Sequence, residues 1–182
     1  MPDIALLIID MLNDFVNEGA PLEVPGGRDI IPIISKILNY ARSHDWSVIY
    51  LADNHKETDP EFKIWPAHCV KGTKGAEIIN VLKPEKGEII IPKRRYSGFF
   101  GTDLDLWLRE LGIKTVILTG LVTNICVMYT SADASARGYE VIVVKDGTVA
   151  LSLEDYEFAL KQMENVHNAK VILEEEVEKE FK

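Results

Sequence analysis

"TVILTGLVTNICVMYTSADASARG", residues 115–138, decides the fold. Its first six residues form an apolar run rich in β-branched side chains that ends at Gly120. From Asn124 onward apolar residues recur at helical spacing as far as Gly138, a natural helix stop. The strand has no polar/apolar alternation, so it is buried on both faces, which is what helices on either side of a parallel sheet produce. Three runs repeat the pattern: "IALLIID" (4–10), "WSVIYLAD" (46–53) and "EVIVVKD" (140–146), with "GEIIIPK" (87–93) and "AKVI" (169–172) completing a set of six. Between them lie amphipathic stretches at 28–44, 102–112, 124–138 and 153–166. The alternation predicts an α/β fold: a doubly wound, mainly parallel six-stranded sheet with helices on both faces and right-handed crossovers. The acidic tail "EEEVEKEFK" (174–182) reads as a solvated helix end.

The 182 residues suit one domain, 1–182, with a core large enough to stand alone. A hydrophobic share of 47% beside a charged share of 27% excludes disordered, collagen-like and membrane classes. "IALLII" (4–9) is too short to span a bilayer and lacks the flanks of a signal peptide, so the expected location is the cytoplasm. Two cysteines are no disulfide framework and fit a reducing compartment. A net charge of -9 repels phosphate backbones, and "KRR" (93–95) is too small a basic patch to reverse that. Neither nucleic acid nor a membrane is an expected partner.

In doubly wound sheets, ligands bind beyond the carboxyl ends of the strands, where strand order reverses. Four strands end in, or lead into, a chemically capable group: Asp10, Asp53, Lys93 and Cys126. If Thr123 or Asn124 caps the helix, Cys126 falls in its first turn, where free amides and the helix dipole lower a thiol pKa and can hold an oxyanion. A free cysteine is more often buried and inert, and on this stretch alone that reading is the stronger. Asp10 is the candidate base, because a carboxylate directly after an apolar strand is desolvated; a turn-forming aspartate is the plainer alternative. Lys93 could hold carboxylate and thiolate together, or be a solvated lysine beside two arginines.

The segment from about 54 to 86 breaks the rhythm and is long for a connection, a feature of functional loops. Within it, "LADNHKETDPEFKIWPAHCVKGT" (51–73) sets Asp53 and His55 two apart, followed by Glu61 and His68. Residues two apart on a strand share a face, so Asp53 and His55 can address one ion. Imidazole with carboxylate suits zinc, iron or manganese. Cys69 is expected to be packed, and His44 and His167 to be helix-face residues without a role.

Taken together, "IIDMLNDF" (8–15), "DNH" (53–55), "PEFKIWPAHCVKGT" (60–73), "KRRYSGFFGTDL" (93–104) and "GLVTNICV" (120–127) resemble the isochorismatase-like cysteine hydrolases, and most closely their nicotinamidase/pyrazinamidase branch. The resemblance implies a Rossmann-like three-layer sandwich and a catalytic triad of Asp10, Lys93 and Cys126. It implies an oxyanion hole from the amides of Cys126 and Val122, the latter reached through a cis Leu121–Val122 peptide. Phe15, Trp65, Tyr96 and Leu121 match the ring pocket. Asp53, His55 and His68, with Glu61, match the ligands of one divalent metal, zinc first, with iron or manganese as alternatives. The implied reaction is hydrolysis of nicotinamide to nicotinate and ammonia through a cysteine thioester, with pyrazinamide as a second substrate. The alternatives are another small amide or carbamoyl compound, or a metal-bound ligand sensor without turnover. Such proteins are often dimers or larger, so a homo-oligomer is implied. Leu12 departs from the pattern, standing where many relatives have glutamine.

Overall fold

The computed structural model describes residues 2–181. Met1 and Lys182, the ends of the expected domain and of the acidic tail, lie outside the described residues. Six strands, β1 (Ile4–Ile9), β2 (Ser47–Asp53), β3 (Ile89–Lys93), β4 (Thr115–Leu121), β5 (Glu140–Val149) and β6 (Lys170–Ile172), form one sheet in the order β3-β2-β1-β4-β5-β6. Every neighbouring pair is parallel.

The helices are α1 (Asn13–Val16), α2 (Ile31–Ser43), α3 (Leu104–Glu110), α4 (Met128–Ala136), α5 (Leu153–Asn165) and α6 (Glu174–Glu180). Alternate strand residues feed two separate cores. Leu6 and Ile8 of β1 pack with Ile34, Ile37 and Leu38 of α2 on one face. Leu7 and Ile9 pack with Leu108 of α3, Ala134 of α4 and Met163 of α5 on the other. Burial on both faces is the physical reason the strands read as unbroken apolar runs.

Three expected boundaries shift. The stretch 28–44 becomes helical only from Ile31, with Pro32 in the first turn, where a missing N–H costs nothing. The helix expected over 124–138 is divided: Thr123–Val127 forms a wide π-helical turn, and α4 starts at Met128. The acidic tail is more than a solvated end, because Val177 of α6 is buried in the α2-side core and Phe181 meets Trp46 edge-on with ring centroids 4.9 Å apart. Among the described residues, no helix is long and apolar enough to cross a membrane.

The segment after β2 carries three short 3₁₀ turns, Pro60–Lys63, Lys74–Ala76 and Asn80–Leu82. Isolated bridges pin it to the sheet rim, Leu12 with Ile78 and His55 with Val70. Leu12 is wholly buried and closes the core.

Strand order reverses between β1 and β4, and at that point β4 passes close to β1 through Gly120. Gly120 has φ +104, and a Cβ there would lie 2.0 Å from the carbonyl oxygen of Ile9. Backbone on both sides leaves nothing to yield. Gly120→Ala is therefore expected to cost about 3 kcal/mol or more. Gly19→Ala, also at positive φ but in open space, should cost only about 1 kcal/mol. Urea-unfolding midpoints of the two variants measure the difference.

Candidate active site

The strand order β3-β2-β1-β4 sets Lys93, Asp53, Asp10 and the turn holding Cys126 side by side along one rim. Asp10 leaves β1 in the left-handed region, φ 53, which turns the chain sharply at the strand end. Its Oδ1 accepts a hydrogen bond from the Asp53 amide at 2.9 Å. The Lys93 side chain crosses back over both carboxylates: its Nζ lies 2.7 Å from Asp10 Oδ2, 2.6 Å from Asp53 Oδ1 and 3.4 Å from Cys126 Sγ. All four side chains are buried. The structure thus brings together the three residues expected to form a triad, and the Leu121–Val122 peptide is cis.

Burial and the nearby charge of Asp53 push the Asp10 carboxyl up to about 6, against the pull of Lys93. Burial acts on Asp53 too, but Lys93, His55 and His68 outweigh it and hold that carboxyl far below the usual range. Lys93, despite burial, is raised by Asp10, Asp53 and Cys126 and stays an ammonium. The sulfur corrects the expectation of a lowered thiol pKa. Burial, then the charges of Asp10 and Asp53, raise the Cys126 thiol well above its ordinary value, against the pull of Lys93. Desolvation and the two carboxylates therefore favour the neutral thiol in the wide turn at Thr123–Val127.

Beside this group the expected metal ligands converge. Asp53 Oδ2 lies 3.5 Å from His55 Nε2 and 3.7 Å from His68 Nε2, and Glu61 Oε1 lies 3.9 Å from His55 Nε2. Two ligands of one divalent ion with bonds of about 2.1 Å stand roughly 3–3.5 Å apart, close to these spacings. His68 Nδ1 contacts the Pro66 carbonyl at 2.7 Å, which leaves Nε2 to face inward. Neither ring nitrogen of His55 makes a well-aligned hydrogen bond although the ring is fully buried. Burial lowers the proton affinity of His55, yet Asp53, Asp59 and Glu61 more than offset it. A buried, anionic, partly unsatisfied donor set of this kind fits a divalent cation.

These groups open onto a cleft of about 450 Å³. Phe15, Trp65, Tyr96 and Leu121, expected around the ring, all line it, and so does Val122, expected for its amide. Leu22, Val24, Ile125 and Leu151 also line it and were not foreseen. Leu22, Val24 and Leu151 sit in loops with no recurring spacing, so only tertiary packing reveals them, and Ile125 lies in the wide turn next to Cys126. Asp59 and Arg95, beside His55 and Glu61, were likewise missed; the Asp59-Pro60 pair, a helix-capping signal, was the available clue. Cys69 is packed as expected, and its amide donates to Asp14 Oδ2 at 2.8 Å. His44 stays on its helix end against Tyr40, and His167 contacts Ser131 Oγ at 3.1 Å, away from the cleft.

Comparison with known proteins gives the same architecture. The isochorismatase domain model matches residues 4–176. An isochorismatase-like hydrolase from Alkaliphilus metalliredigens is 43% identical with a TM-score of 0.94, covering 98% of this chain and 99% of that one. N-carbamoylsarcosine amidase from Thermoplasma acidophilum is 36% identical at TM-score 0.88, covering 96% and 98%. A pyrazinamidase of Pyrococcus horikoshii, in complex with zinc, is 34% identical at TM-score 0.89, covering 94% and 99%.

Two outcomes test this geometry. Lys93→Met leaves two carboxylates buried without their cation and should destabilise the metal-free protein by about 3–5 kcal/mol, read from denaturant unfolding in chelator. His68→Ala removes one of the inward nitrogens and should lower bound zinc after dialysis from near one per chain toward zero, measured by elemental analysis.

Proposed function

We propose, from the premise that this chain belongs to the isochorismatase family of hydrolases, that it hydrolyses a small neutral heteroaromatic carboxamide, with nicotinamide as reference substrate and pyrazinamide as analogue. One observation carries the choice of substrate class. The cleft walls are aromatic and aliphatic, and the acidic side chains Asp10, Asp53 and Glu61 are present with no lysine or arginine among the lining residues. The nearby ammonium of Lys93 is already shared by Asp10 and Asp53. A substrate carrying its own carboxylate would find no cationic side chain on the cleft wall to pair with it, whereas a flat uncharged ring meets Phe15, Trp65 and Leu121.

Cys126 enters the reaction as a thiol. Asp10, its carboxyl raised to about 6 and so largely ionised at neutral pH, takes the sulfhydryl proton as sulfur attacks the amide carbon. The amides of Val122 and Cys126 hold the negative oxygen that forms. Asp10 then passes its proton to the amide nitrogen, the C–N bond breaks, and ammonia leaves a thioester. Water gives a proton to Asp10 as it adds to the thioester; the C–S bond breaks, Asp10 returns that proton to the sulfur to restore the thiol, and the acid released ionises to the carboxylate. Lys93 keeps its charge throughout and compensates whichever of Asp10 and sulfur is anionic. Asp53, His55 and His68, with Glu61 beside them, would hold a divalent ion, which would supply a Lewis-acidic position for a ring nitrogen.

A second reading, hydrolysis of a carbamoyl compound by the same triad, is favoured by the likeness to the Thermoplasma amidase. Ammonia release from nicotinamide, pyrazinamide and N-carbamoylsarcosine separates the two. The expected kcat/KM for nicotinamide is at least ~100-fold above that for the carboxylated compound, as burying a carboxylate without a cationic side chain to pair it predicts. Preference for N-carbamoylsarcosine overturns the substrate assignment, and silence on all three favours a ligand sensor. Cys126→Ala should retain its metal and yield no acyl-enzyme in acid-quenched mass spectrometry.

A further inference from the structure

Beyond the four ligands, we propose that Asp59 and Arg95 are positioning residues: Asp59 fixes the His55 imidazole with its proton on Nδ1, and Arg95 holds Asp59 and one oxygen of Glu61 away from the ion. This rests on the metal reading of the site given above.

The two histidines face the same Asp53 oxygen through Nε2, at 3.5 Å and 3.7 Å, and each must carry its proton on the opposite nitrogen to offer a lone pair there. His68 achieves this with a backbone acceptor, Pro66 O at 2.7 Å from Nδ1. His55 has no such carbonyl. Its Nδ1 lies 3.2 Å from Asp59 Oδ2, four residues on, a charge contact between two buried side chains and not a well-aligned hydrogen bond. The other Asp59 oxygen accepts from the Glu61 amide at 3.0 Å, so the carboxylate cannot rotate without breaking the cap of the Pro60–Lys63 turn. Pro60 fixes the backbone at the next position.

Arg95 closes the arrangement from the solvent side. Its Nη1 lies 3.1 Å from Asp59 Oδ1 and 3.3 Å from Oδ2. The same nitrogen stands 3.7 Å from Glu61 Oε2, while Glu61 Oε1 turns toward His55 Nε2. Glu61 therefore presents one oxygen to the donor set and has the other engaged. A second anion beside the histidine strengthens the ligand, and the arginine keeps that anion from becoming a competing ligand itself. The plainer account, an aspartate that only caps a short turn, explains the Glu61 contact but neither the His55 nor the Arg95 contact.

Asp59→Ser tests this while keeping a residue able to cap the turn. On metal-free protein, at a pH high enough for the rings to be neutral, long-range proton–nitrogen NMR of the histidine rings should show Nδ1–H for His55 and His68 in the wild type, with His55 alone changing in the variant. Competition against a chromophoric chelator should show Co²⁺ affinity weakened about 10–100-fold in Asp59→Ser and several-fold in Arg95→Met, the usual range for an outer partner of a ligating histidine. Arg95→Lys should recover part of the loss. An unchanged His55 ring signal, or unchanged Co²⁺ affinity in both variants, overturns the proposal. Failure of the wild type to bind Co²⁺ or Zn²⁺ sinks the metal reading instead, and the ring measurement, which needs no metal, still decides whether Asp59 sets the His55 proton. Should Asp59→Ser not fold, Arg95→Met carries the affinity test alone.

Discussion

A single buried ammonium holds this rim together. Lys93 Nζ touches the carboxylates of Asp10 and Asp53 and the sulfur of Cys126, so groups at or beyond three strand ends share the cation carried by a fourth. Burying any of these charges alone would cost several kcal/mol. The arrangement is sustained because strand order places the groups side by side and the lysine is long enough to reach across. Gly120 permits the close approach of β4 to β1 at the same point.

The two carboxylates that share the cation are driven apart in proton affinity. Asp53 faces Lys93 and two imidazoles and stays ionised; Asp10, more dependent on burial and repelled by Asp53, is raised to about 6. That split assigns different work to chemically identical side chains: one is suited to hold a cation, the other to move a proton. In the reaction proposed above, a sulfur kept neutral by its surroundings would give up its proton only as charge appears on the substrate.

The loop after β2 is irregular because it serves the site. His55 extends the strand direction by one more bridge, to Val70, which brings the neighbouring His68 alongside. Asp14 fixes the next residue, Cys69, through its amide, and the Pro66 carbonyl aims His68. Contacts of this density hold a long connection to one conformation, as a ligand set requires.

Much of this was legible along the chain. Unbroken apolar runs disclosed strands buried on both sides, and alternation with amphipathic helices disclosed the sheet, because burial leaves a periodic trace in local sequence. Asp10, Asp53, Lys93 and Cys126 were legible as strand ends, and the D-x-H spacing disclosed Asp53 with His55. Three-dimensional packing alone decided the remainder. Proton affinity depends on every charge and every layer of protein around a group, so the helix-start argument for Cys126 pointed the wrong way. Leu22, Val24 and Leu151 reach the cleft, and Asp59 and Arg95 reach the histidine, from segments whose sequence carries no period. Sequence determines which chemical groups the strand ends carry; only the folded chain decides which of them meet, and how far solvent is excluded when they do, because both depend on contacts between residues distant along the chain.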